Sequence, residues 1–245
     1  MFDCVSAVSF NADCESKQNI IDRCLGELGV EPSEALMVGD RFYDIDGARE
    51  CGVDSVGVLW GFGTKFELIE SGAKYIIDKI DDVENIALGL YEATENVQGI
   101  FSGKVITVHL DDITLCNDLP AQRECVDHPG GVGAICVNED DEVVLVRQFR
   151  YPYKETIYEI PAGKLEKDED PLDAAMRELR EECGAVCDEL KPLGEIYPSP
   201  GYTNEIIRLY ACVNPTFVEQ ELDEDEFLQV CKMKLSTLLA KIMSG

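Results

Sequence analysis

Apolar and polar positions in the first part of the chain alternate between strand-like runs and helix-like periods. Asn19–Leu28 and Asp44–Cys51 have helical periodicity. Apolar runs of strand length flank them at Phe2–Val8, Ala35–Gly39 and Ser55–Trp60. Strands that alternate with helices are typical of βαβ units, so we predict a parallel sheet in this part.

The second part of the chain is richer in strands, which are separated by short turns. The predicted strands are Lys104–Leu110, Ile113–Cys116, Gly133–Val137, Glu142–Gln148 and Phe227–Val230, and the predicted helices are Pro171–Cys183 and Leu235–Met243. Between the two parts the residues are mostly polar, and we place a linker there, at 93–103. The predicted domains are therefore 1–92 and 104–245.

Charge restricts the possible partners. The 245 residues include 49 acidic side chains against 21 lysines and arginines, for a formal net charge of −28. Such a surface repels phosphate backbones and anionic lipids, so we expect neither a nucleic-acid nor a membrane partner. No stretch approaches the roughly 20 apolar residues of a membrane span, and no signal peptide is visible. An anionic small substrate would need bound cations.

The 11 cysteines form no CxxC pair, and the only histidines are His109 and His128. A zinc site of Cys and His residues and a disulfide framework are therefore both disfavoured. Scattered free thiols are typical of small core residues in a reducing cytosol, so we expect free cysteines and a cytoplasmic location.

One predicted helix, Pro171–Cys183, carries a cluster of acidic residues. Glu178, Glu181 and Glu182 stand at i, i+3 and i+4, so they share one helical face. Three like charges on one patch destabilise a helix unless a cation neutralises them. Mg²⁺ does so, because it binds carboxylate oxygens together with substrate phosphates. From the triad alone, a solvated acidic face is the alternative interpretation.

The spacing around the triad is more specific. It reads Gly163-x5-Glu169-x7-Arg177-Glu178-Leu179-x-Glu181-Glu182-x-Gly184. This pattern resembles the Nudix box, and the chain from about residue 100 to 245 resembles a Nudix hydrolase. The resemblance implies an α/β/α sandwich around a mixed sheet, and metal-assisted hydrolysis of a pyrophosphate.

The resemblance also implies a role for each residue of the box. Glu178 and Glu182 would be the principal ligands of Mg²⁺ or Mn²⁺, helped by Glu181 and by the backbone carbonyl of Ala162. An ion pair between the first glutamate and the arginine of the box would brace its loop against its helix. The structural residues would be Gly163, Glu169, Arg177 and Gly184.

Segments outside the box resemble the ADP-ribose pyrophosphatase branch of this family. They are Arg147-Gln-Phe-Arg150-Tyr-Pro, Glu159-Ile-Pro-Ala-Gly163, His128-Pro-Gly-Gly and Ser199-Pro-Gly-Tyr-Thr-Asn-Glu205. This resemblance implies a small-molecule substrate, a nucleoside-diphosphate sugar such as ADP-ribose. Arg150 and Glu159 would contact it, together with Gly201, Thr203 and Glu205. An ordinary turn is the alternative for Gly201.

The branch draws its general base from an acidic loop late in the fold. The corresponding run here is Glu219–Glu226, just before the predicted strand Phe227–Val230. Alignment by that strand favours Glu224 as the base, with Glu226 as the alternative or as an extra metal ligand. A solvated loop charge is the alternative interpretation of each carboxylate.

The first part resembles a different family. Lys17, the motif Gly39-Asp40-x3-Asp44 and the segment Gly57–Gly63 are similar to haloacid-dehalogenase-like (HAD-like) phosphatases of the phosphoglycolate-phosphatase type. The resemblance implies a partial Rossmann-like fold in which Lys17, Asp40 and Asp44 hold a phosphoryl group and Mg²⁺. The DxDGT-like motif that carries the family's nucleophile is missing, so we predict a vestigial site.

The sequence therefore predicts an α/β protein, with a partial Rossmann-like HAD-like segment followed by a Nudix sandwich with a mixed sheet. The preferred function is Mg²⁺-dependent hydrolysis of ADP-ribose, or a related nucleoside-diphosphate sugar, to a nucleoside monophosphate and a sugar phosphate. The resemblance also implies a homodimer. Two alternatives stay open: a non-catalytic sensor of nucleotide sugars, and a bifunctional phosphatase and Nudix hydrolase.

Overall fold

The computed structural model describes residues 16–222 and 226–244. The chain divides into two compact units. The first unit ends at Asn96 and also takes in Asp112–Gln122, and the second comprises Val97–Asp111 and the chain from Arg123 onward. None of the described helices has the length and apolar character that a bilayer crossing requires. The strand predicted at Phe2–Val8 lies outside the described residues.

The first unit alternates helices and strands, as predicted. Its elements are α1 Lys17–Leu28, β1 Leu36–Gly39, α2 Phe42–Glu50, β2 Asp54–Val58, α3 Lys65–Glu70, β3 Tyr75–Ile77 and α4 Asp81–Ala87. The strands form a parallel sheet in the order β1-β2-β3, with Val38 opposite Val56 and Val58 opposite Ile77. The last three of these side chains form its buried core. The predicted βαβ arrangement is confirmed.

A three-stranded sheet follows in the chain. Its strands are β4 Ala93–Ser102, β5 Thr107–Thr114 and β6 Pro120–Asp127, in that order. Most of the segment 93–103, predicted as a linker, is thus a strand, and the exposure of nearly all its residues explains its polar sequence. The strands predicted at Lys104–Leu110 and Ile113–Cys116 are one strand, β5. Asp111 and Asp112, which disfavour strands by propensity, continue its extended backbone.

The second unit centres on a mixed seven-stranded sheet. Its strands are β7 Gly131–Val137, β8 Glu142–Arg150, β9 Glu155–Glu159, β10 Ala162–Lys164, β12 Lys191–Ile196, β13 Ile207–Val213 and β15 Leu228–Lys234. Their order is β12-β13-β7-β8-β15, with β10 paired to β7 and β9 paired to β8. β13 runs parallel to β7, whereas β15 and β9 run antiparallel to β8. The remaining elements are α5 Pro171–Cys183, β11 Ala185–Val186, β14 Thr216–Phe217 and α6 Leu235–Ser244. The predicted mixed sheet is confirmed.

Helix α5 has the bounds that the sequence predicts, because both of its ends carry local signals. The Asp170 side chain accepts a hydrogen bond from the Leu172 N–H at 2.8 Å, which caps the first turn. Gly184 adopts a left-handed conformation and closes the last turn. The apolar face of the helix packs on the sheet, and the buried residues of this core include Val132, Ala134, Val144, Ala174, Ala175, Leu179 and Cys183.

The expectation of free cysteines is wrong for one pair. Cys187 and Cys212 are bonded as a disulfide, and the Sγ atom of Cys136 lies 3.0 Å from that of Cys212. Strand pairing places Cys136 directly opposite Cys212. Cys187 directly follows β11, and its sulfur lies within 4.8 Å of the other two. Contacts between residues so far apart in the chain leave no trace in cysteine spacing.

We expect Gly184→Ala to destabilise the second unit. Gly184 has a φ of +65°, and a Cβ atom there would overlap the carbonyl oxygen of Val218. The left-handed conformation costs a non-glycine residue about 1–2 kcal/mol, and the overlap adds to that cost. The free energy of unfolding, measured by urea denaturation, should therefore fall by more than ~2 kcal/mol.

Gly29→Ala is the matched control. Gly29 ends α1 with the same φ of +65°, but no atom lies within 4 Å of its Cβ position. The first unit should therefore lose only the conformational cost. Equal losses for the two substitutions would show that the contact with Val218 is unimportant.

Candidate active site

Helix α5 presents its acidic face to a cavity of about 620 Å³ in the second unit. Glu178, Glu181 and Glu182 line this cavity together with Arg177. Its other charged lining residues are Lys104, Arg150, Lys164, Glu166, Glu205 and Glu226. The volume lies within the range of small-molecule sites. The i, i+3, i+4 spacing therefore does bring the three carboxylates to one place.

Glu182 is the most perturbed acidic group of the cavity. Its side chain is almost completely buried, at 2% exposure, and its Oε2 accepts a hydrogen bond from the Ala162 N–H at 2.9 Å. Burial raises the pKa of Glu182 to about 8, and the nearby Glu178 carboxylate adds to the rise. At neutral pH this group therefore favours a bound proton or a bound cation.

Arg177 donates hydrogen bonds to three glutamates of the box. Its Nε and Nη2 donate to the two carboxylate oxygens of Glu169 at 2.9 and 3.0 Å, a two-point contact that the guanidinium geometry favours. Its Nη1 donates to Glu178 at 2.9 Å and to Glu181 at 3.0 Å. The ion pair expected between Glu169 and Arg177 is therefore present, and the same side chain partly neutralises the glutamate triad.

Gly163 leaves the space that the Glu178 carboxylate occupies. A Cβ atom at Gly163 would overlap that carboxylate. Burial raises the pKa of Glu178, and the neighbouring Arg177 opposes the rise. Two buried carboxylates with raised pKa values are hard oxygen donors in need of positive charge. This donor set fits Mg²⁺ or Mn²⁺.

A second group of polar residues lines the cavity away from α5. The Nε of Arg150 donates to both carboxylate oxygens of Glu159, at 3.1 and 2.9 Å. The Nδ1 of His128 accepts from the Gly130 N–H at 3.1 Å and lies 3.6 Å from Glu205 Oε1. Arg150, His128 and Glu205 are cavity residues, whereas Glu159 holds Arg150 in place.

Two residues of the predicted substrate segment do not line the cavity. Thr203 instead supports Glu205, because its Oγ1 accepts from the Glu205 N–H at 3.2 Å. Thr203 also forms a β-bridge with Val126. Gly201 is exposed at the turn. Of this segment, the structure brings Glu205 to the cavity.

The acidic loop reaches the cavity through Glu226. Its charge adds to the raised pKa of Glu178 and of Glu182. The predicted base, Glu224, lies outside the described residues. Among the described residues of this loop, Glu226 lines the cavity together with the glutamate triad.

The acidic loop is attached to the C-terminal end of α5. The Glu221 N–H donates to the carbonyl of Glu181 at 3.1 Å. The side chain of Gln220 donates to the carbonyl of Glu182. The last carbonyls of a helix have no partner within it, so these contacts satisfy them while they hold the loop.

Sequence reasoning assigned no role to four of the ionisable residues that line the cavity: Lys104, His128, Lys164 and Glu166. Lys164 directly follows Gly163 of the box, so its position in the sequence could have predicted that it lines the cavity. His128 lies in a segment that resembles the pyrophosphatase branch. Lys104 comes from the turn between β4 and β5, and no local pattern connects that turn with the box.

The first unit brings together Lys17 and Asp44 of the predicted vestigial site, whereas Asp40 has a separate partner. The Nζ of Lys17 lies 2.7 Å from Asp44 Oδ1, and the other oxygen of Asp44 accepts from the Arg41 N–H at 3.2 Å. Asp40 Oδ2 accepts from the Phe62 N–H at 2.6 Å. Both carboxylates are thus already engaged by donors of the chain itself.

Comparisons with known proteins agree with both parts of the chain. A family model described as NUDIX domain matches residues 127–244, and a HAD-hydrolase-like model matches residues 16–83. An ADP-ribose pyrophosphatase of Bacillus subtilis is 41% identical over 157 residues, which cover 63% of this chain and 85% of that protein. A methanol dehydrogenase activator of Bacillus methanolicus is 42% identical over 153 residues, covering 62% and 83%.

A solved structure described as an ADP compounds hydrolase has the same fold. Its TM-score is 0.55 at 21% identity, over 62% of this chain and 83% of that one. The chain therefore belongs to the Nudix family and is a hydrolase acting on phosphoanhydride bonds. Within the family it is similar to ADP-ribose pyrophosphatases, and its first part is similar to HAD-like hydrolases. Both resemblances seen in the sequence are confirmed.

The raised pKa of Glu182 predicts how the stability of the metal-free protein depends on pH. Below its ordinary pKa the carboxyl is protonated in both the folded and the unfolded chain, and it has no effect. As pH rises toward about 8, the unfolded chain releases this proton first, so folding is progressively disfavoured. Glu182→Gln removes this titration and keeps an acceptor for the Ala162 N–H.

In a chelator, Glu182→Gln should therefore gain stability over the parent by about 2 kcal/mol between pH 5 and pH 7. Denaturant unfolding at both pH values measures this difference. Glu189→Gln, at an exposed position shortly after α5, should show no such gain. A gain for Glu182→Gln that does not depend on pH would contradict the raised pKa.

Proposed function

We propose that the chain hydrolyses ADP-ribose, or a closely related nucleoside-diphosphate sugar, to a nucleoside monophosphate and a sugar phosphate, with Mg²⁺ or Mn²⁺ as cofactor. The observation that carries the proposal is the buried Glu182 carboxylate beside Glu178 and Glu181 in a cavity large enough for a nucleotide. The 41% identity with an ADP-ribose pyrophosphatase supports the choice of substrate.

The proposed metal ligands are the carboxylates of Glu178 and Glu182, the carbonyl of Ala162 and the carboxylate of Glu226. When bound, Mg²⁺ supplies charge neutralisation of the diphosphate and activation of a water molecule. The chain itself orients the ligands. The Ala162 N–H holds one oxygen of Glu182, and Arg177 holds Glu178.

The attacking water also needs a proton acceptor. We assign this role to Glu224, with Glu226 as the alternative, because both belong to the acidic loop. The attachment of this loop through Gln220 and Glu221 to the end of α5 supports the assignment.

The other end of the cavity offers groups that suit a phosphate and a ribose. Arg150, held by Glu159, is proposed to bind a substrate phosphate or the terminal ribose. Glu205 is proposed to accept from a ribose hydroxyl, with Thr203 supporting its backbone. For Gly201 we propose a turn that positions these residues.

We further propose that the chain acts as a homodimer. Strand β12 is an edge of the mixed sheet, and all six of its residues are exposed. They include the apolar Leu193 and Ile196. An exposed apolar edge is a surface that a second copy can cover.

Product analysis tests the proposed function. The chain incubated with ADP-ribose and Mg²⁺ should yield AMP and ribose 5-phosphate. Glu182→Gln should lower kcat/KM at least about 100-fold, because second-shell changes alone cost metal sites about 10–100-fold. Glu189→Gln, an exposed change to the same residue type, should retain the parent rate.

The outcomes separate the parts of the proposal. Hydrolysis of another diphosphate sugar but not of ADP-ribose would keep the site and reject the substrate. Binding of ADP-ribose without turnover would reject the enzymatic role in favour of a sensor, which the intact glutamate triad does not favour.

The HAD-like part should show no phosphatase activity of its own. The nucleophile motif of that family is missing, and Asp40 and Asp44 are already hydrogen-bonded within the chain. We therefore expect no release of phosphate from phosphoglycolate or p-nitrophenyl phosphate. Phosphate release that is lost in Asp40→Asn and retained in Glu182→Gln would contradict this prediction.

A further inference from the structure

A group of metal-ligating side chains lies outside the site described above, on strands β5 and β6. His109 Nδ1 lies 2.6 Å from Asp111 Oδ1, and Cys125 Sγ lies 3.8 Å from Asp111 Oδ2. One nitrogen, one oxygen and one sulfur donor of these three residues lie within 4.8 Å of one another. We name this group the His109 cluster.

The strands account for the assembly of the cluster. His109 and Asp111 are two residues apart on β5, and Cys125 and Asp127 are two residues apart on β6. Alternate residues of a strand point to the same face, and β5 and β6 are neighbours in their sheet. The side chains of His109 and Asp111 are only 17% and 13% exposed. The donors are therefore partly withdrawn from water.

A second layer of contacts orients the imidazole. Asp127 Oδ2 lies 3.4 Å from His109 Nε2, the ring nitrogen that faces away from Asp111. The other oxygen of Asp127 accepts from the Asn204 side chain at 2.7 Å. A carboxylate on the far nitrogen of a histidine is the usual outer support of a protein metal ligand.

We propose that His109, Asp111 and Cys125 bind a divalent transition-metal ion, of which Zn²⁺ is the physiological choice, with Asp127 as the outer carboxylate. One thiolate and one carboxylate balance the charge of the ion, and the neutral imidazole completes a mixed N, O, S set that suits Zn²⁺. Donors around a tetrahedral Zn²⁺ lie about 3–4 Å apart, given bonds of about 2.0–2.3 Å. The present donors lie within 4.8 Å of one another.

The proposal differs from the Nudix metal site in position and in chemistry. Mg²⁺ prefers oxygen ligands and octahedral geometry, so it does not compete for a thiolate and an imidazole. The sequence disfavoured a zinc site of Cys and His residues because its cysteines form no CxxC pair and it has only two histidines. In the structure, Asp111 supplies the additional donor.

The other sulfur-rich group of the described chain is less suited to a metal. Cys136, Cys187 and Cys212 also lie within 4.8 Å of one another. Two of these three sulfurs are joined as a disulfide, which leaves one thiol. This group could compete for the metal ion only if its disulfide were reduced. The cysteine variants described below distinguish the two sites.

Metal binding at the His109 cluster would stabilise the segment that carries Glu205. Asn204 donates to Asp127, and its Oδ1 accepts from the His128 N–H at 2.9 Å. The cluster thus lies behind residues of the cavity wall. We therefore assign the ion a structural role, which does not depend on the identity of the substrate.

Spectroscopy with Co²⁺ as a probe for Zn²⁺ tests the proposal directly. The metal-stripped full chain, in excess Mg²⁺ to fill the Nudix site, is titrated with Co²⁺. A thiolate-to-Co²⁺ charge-transfer band in the near ultraviolet should saturate at one Co²⁺ per chain, and Zn²⁺ should abolish it. Absence of the band, or its failure to saturate, would overturn the proposal.

Three variants locate the ion. Cys125→Ser should lose the band, whereas Cys116→Ser, at an exposed cysteine, and Glu182→Gln, in the Nudix site, should retain it. A band that survives in Cys125→Ser and disappears in Cys187→Ser would place the metal at the three-cysteine group and overturn the proposal.

A fourth variant separates ligation from general loss of structure. Asp127→Asn keeps all three ligands, so it should retain the band and weaken Co²⁺ affinity by about 10–100-fold. Zn²⁺ should also raise the Tm of the parent and leave that of Cys125→Ser unchanged. An unchanged Co²⁺ affinity in Asp127→Asn would contradict the outer-carboxylate role.

Discussion

The burial of one carboxylate is the constraint on which the second unit depends. The Glu182 carboxylate accepts a hydrogen bond from the Ala162 N–H, and its burial favours the neutral form. A buried charge is costly unless it is paired or coordinated. The surrounding residues compensate for this cost: Arg177 donates to Glu178, and Gly163, which has no side chain, leaves room for the Glu178 carboxylate. A cation bound between the carboxylates would reduce the cost of their burial further.

Local patterns were sufficient to predict the helix and its charged face. The cap at Asp170, the stop at Gly184 and the spacing of the glutamates all act within one or two turns of α5, so they are written in adjacent residues. The resemblance to the Nudix box implied the ion pair between Glu169 and Arg177, which the structure contains. The parallel sheet of the first unit was also predictable, since its strands alternate with helices.

The remainder depends on pairing between distant strands, which spacing does not record. Lys104 reaches the cavity from the turn between β4 and β5. Cys187 directly follows β11, and β11 pairs with β14, the strand that follows β13 and its Cys212. Composition was also misleading, because polar residues within an element suggested that the element ends there. Asp111 suggested a break, yet it continues β5, where its carboxylate is paired with His109 of the same strand. The hydroxyl of Thr203 accepts a hydrogen bond from the backbone of its own segment, a contact that composition did not predict.

The attachment of the acidic loop to α5 has a mechanical consequence. Because Glu221 and Gln220 are bonded to the carbonyls of Glu181 and Glu182, a displacement of the helix carries the start of the loop with it. The start of the loop and the C-terminal end of α5 therefore form one mechanical element. On the other side of the cavity, Glu205 belongs to a segment that Thr203 and Asn204 attach to β6 rather than to α5. The two walls of the cavity therefore have separate anchors.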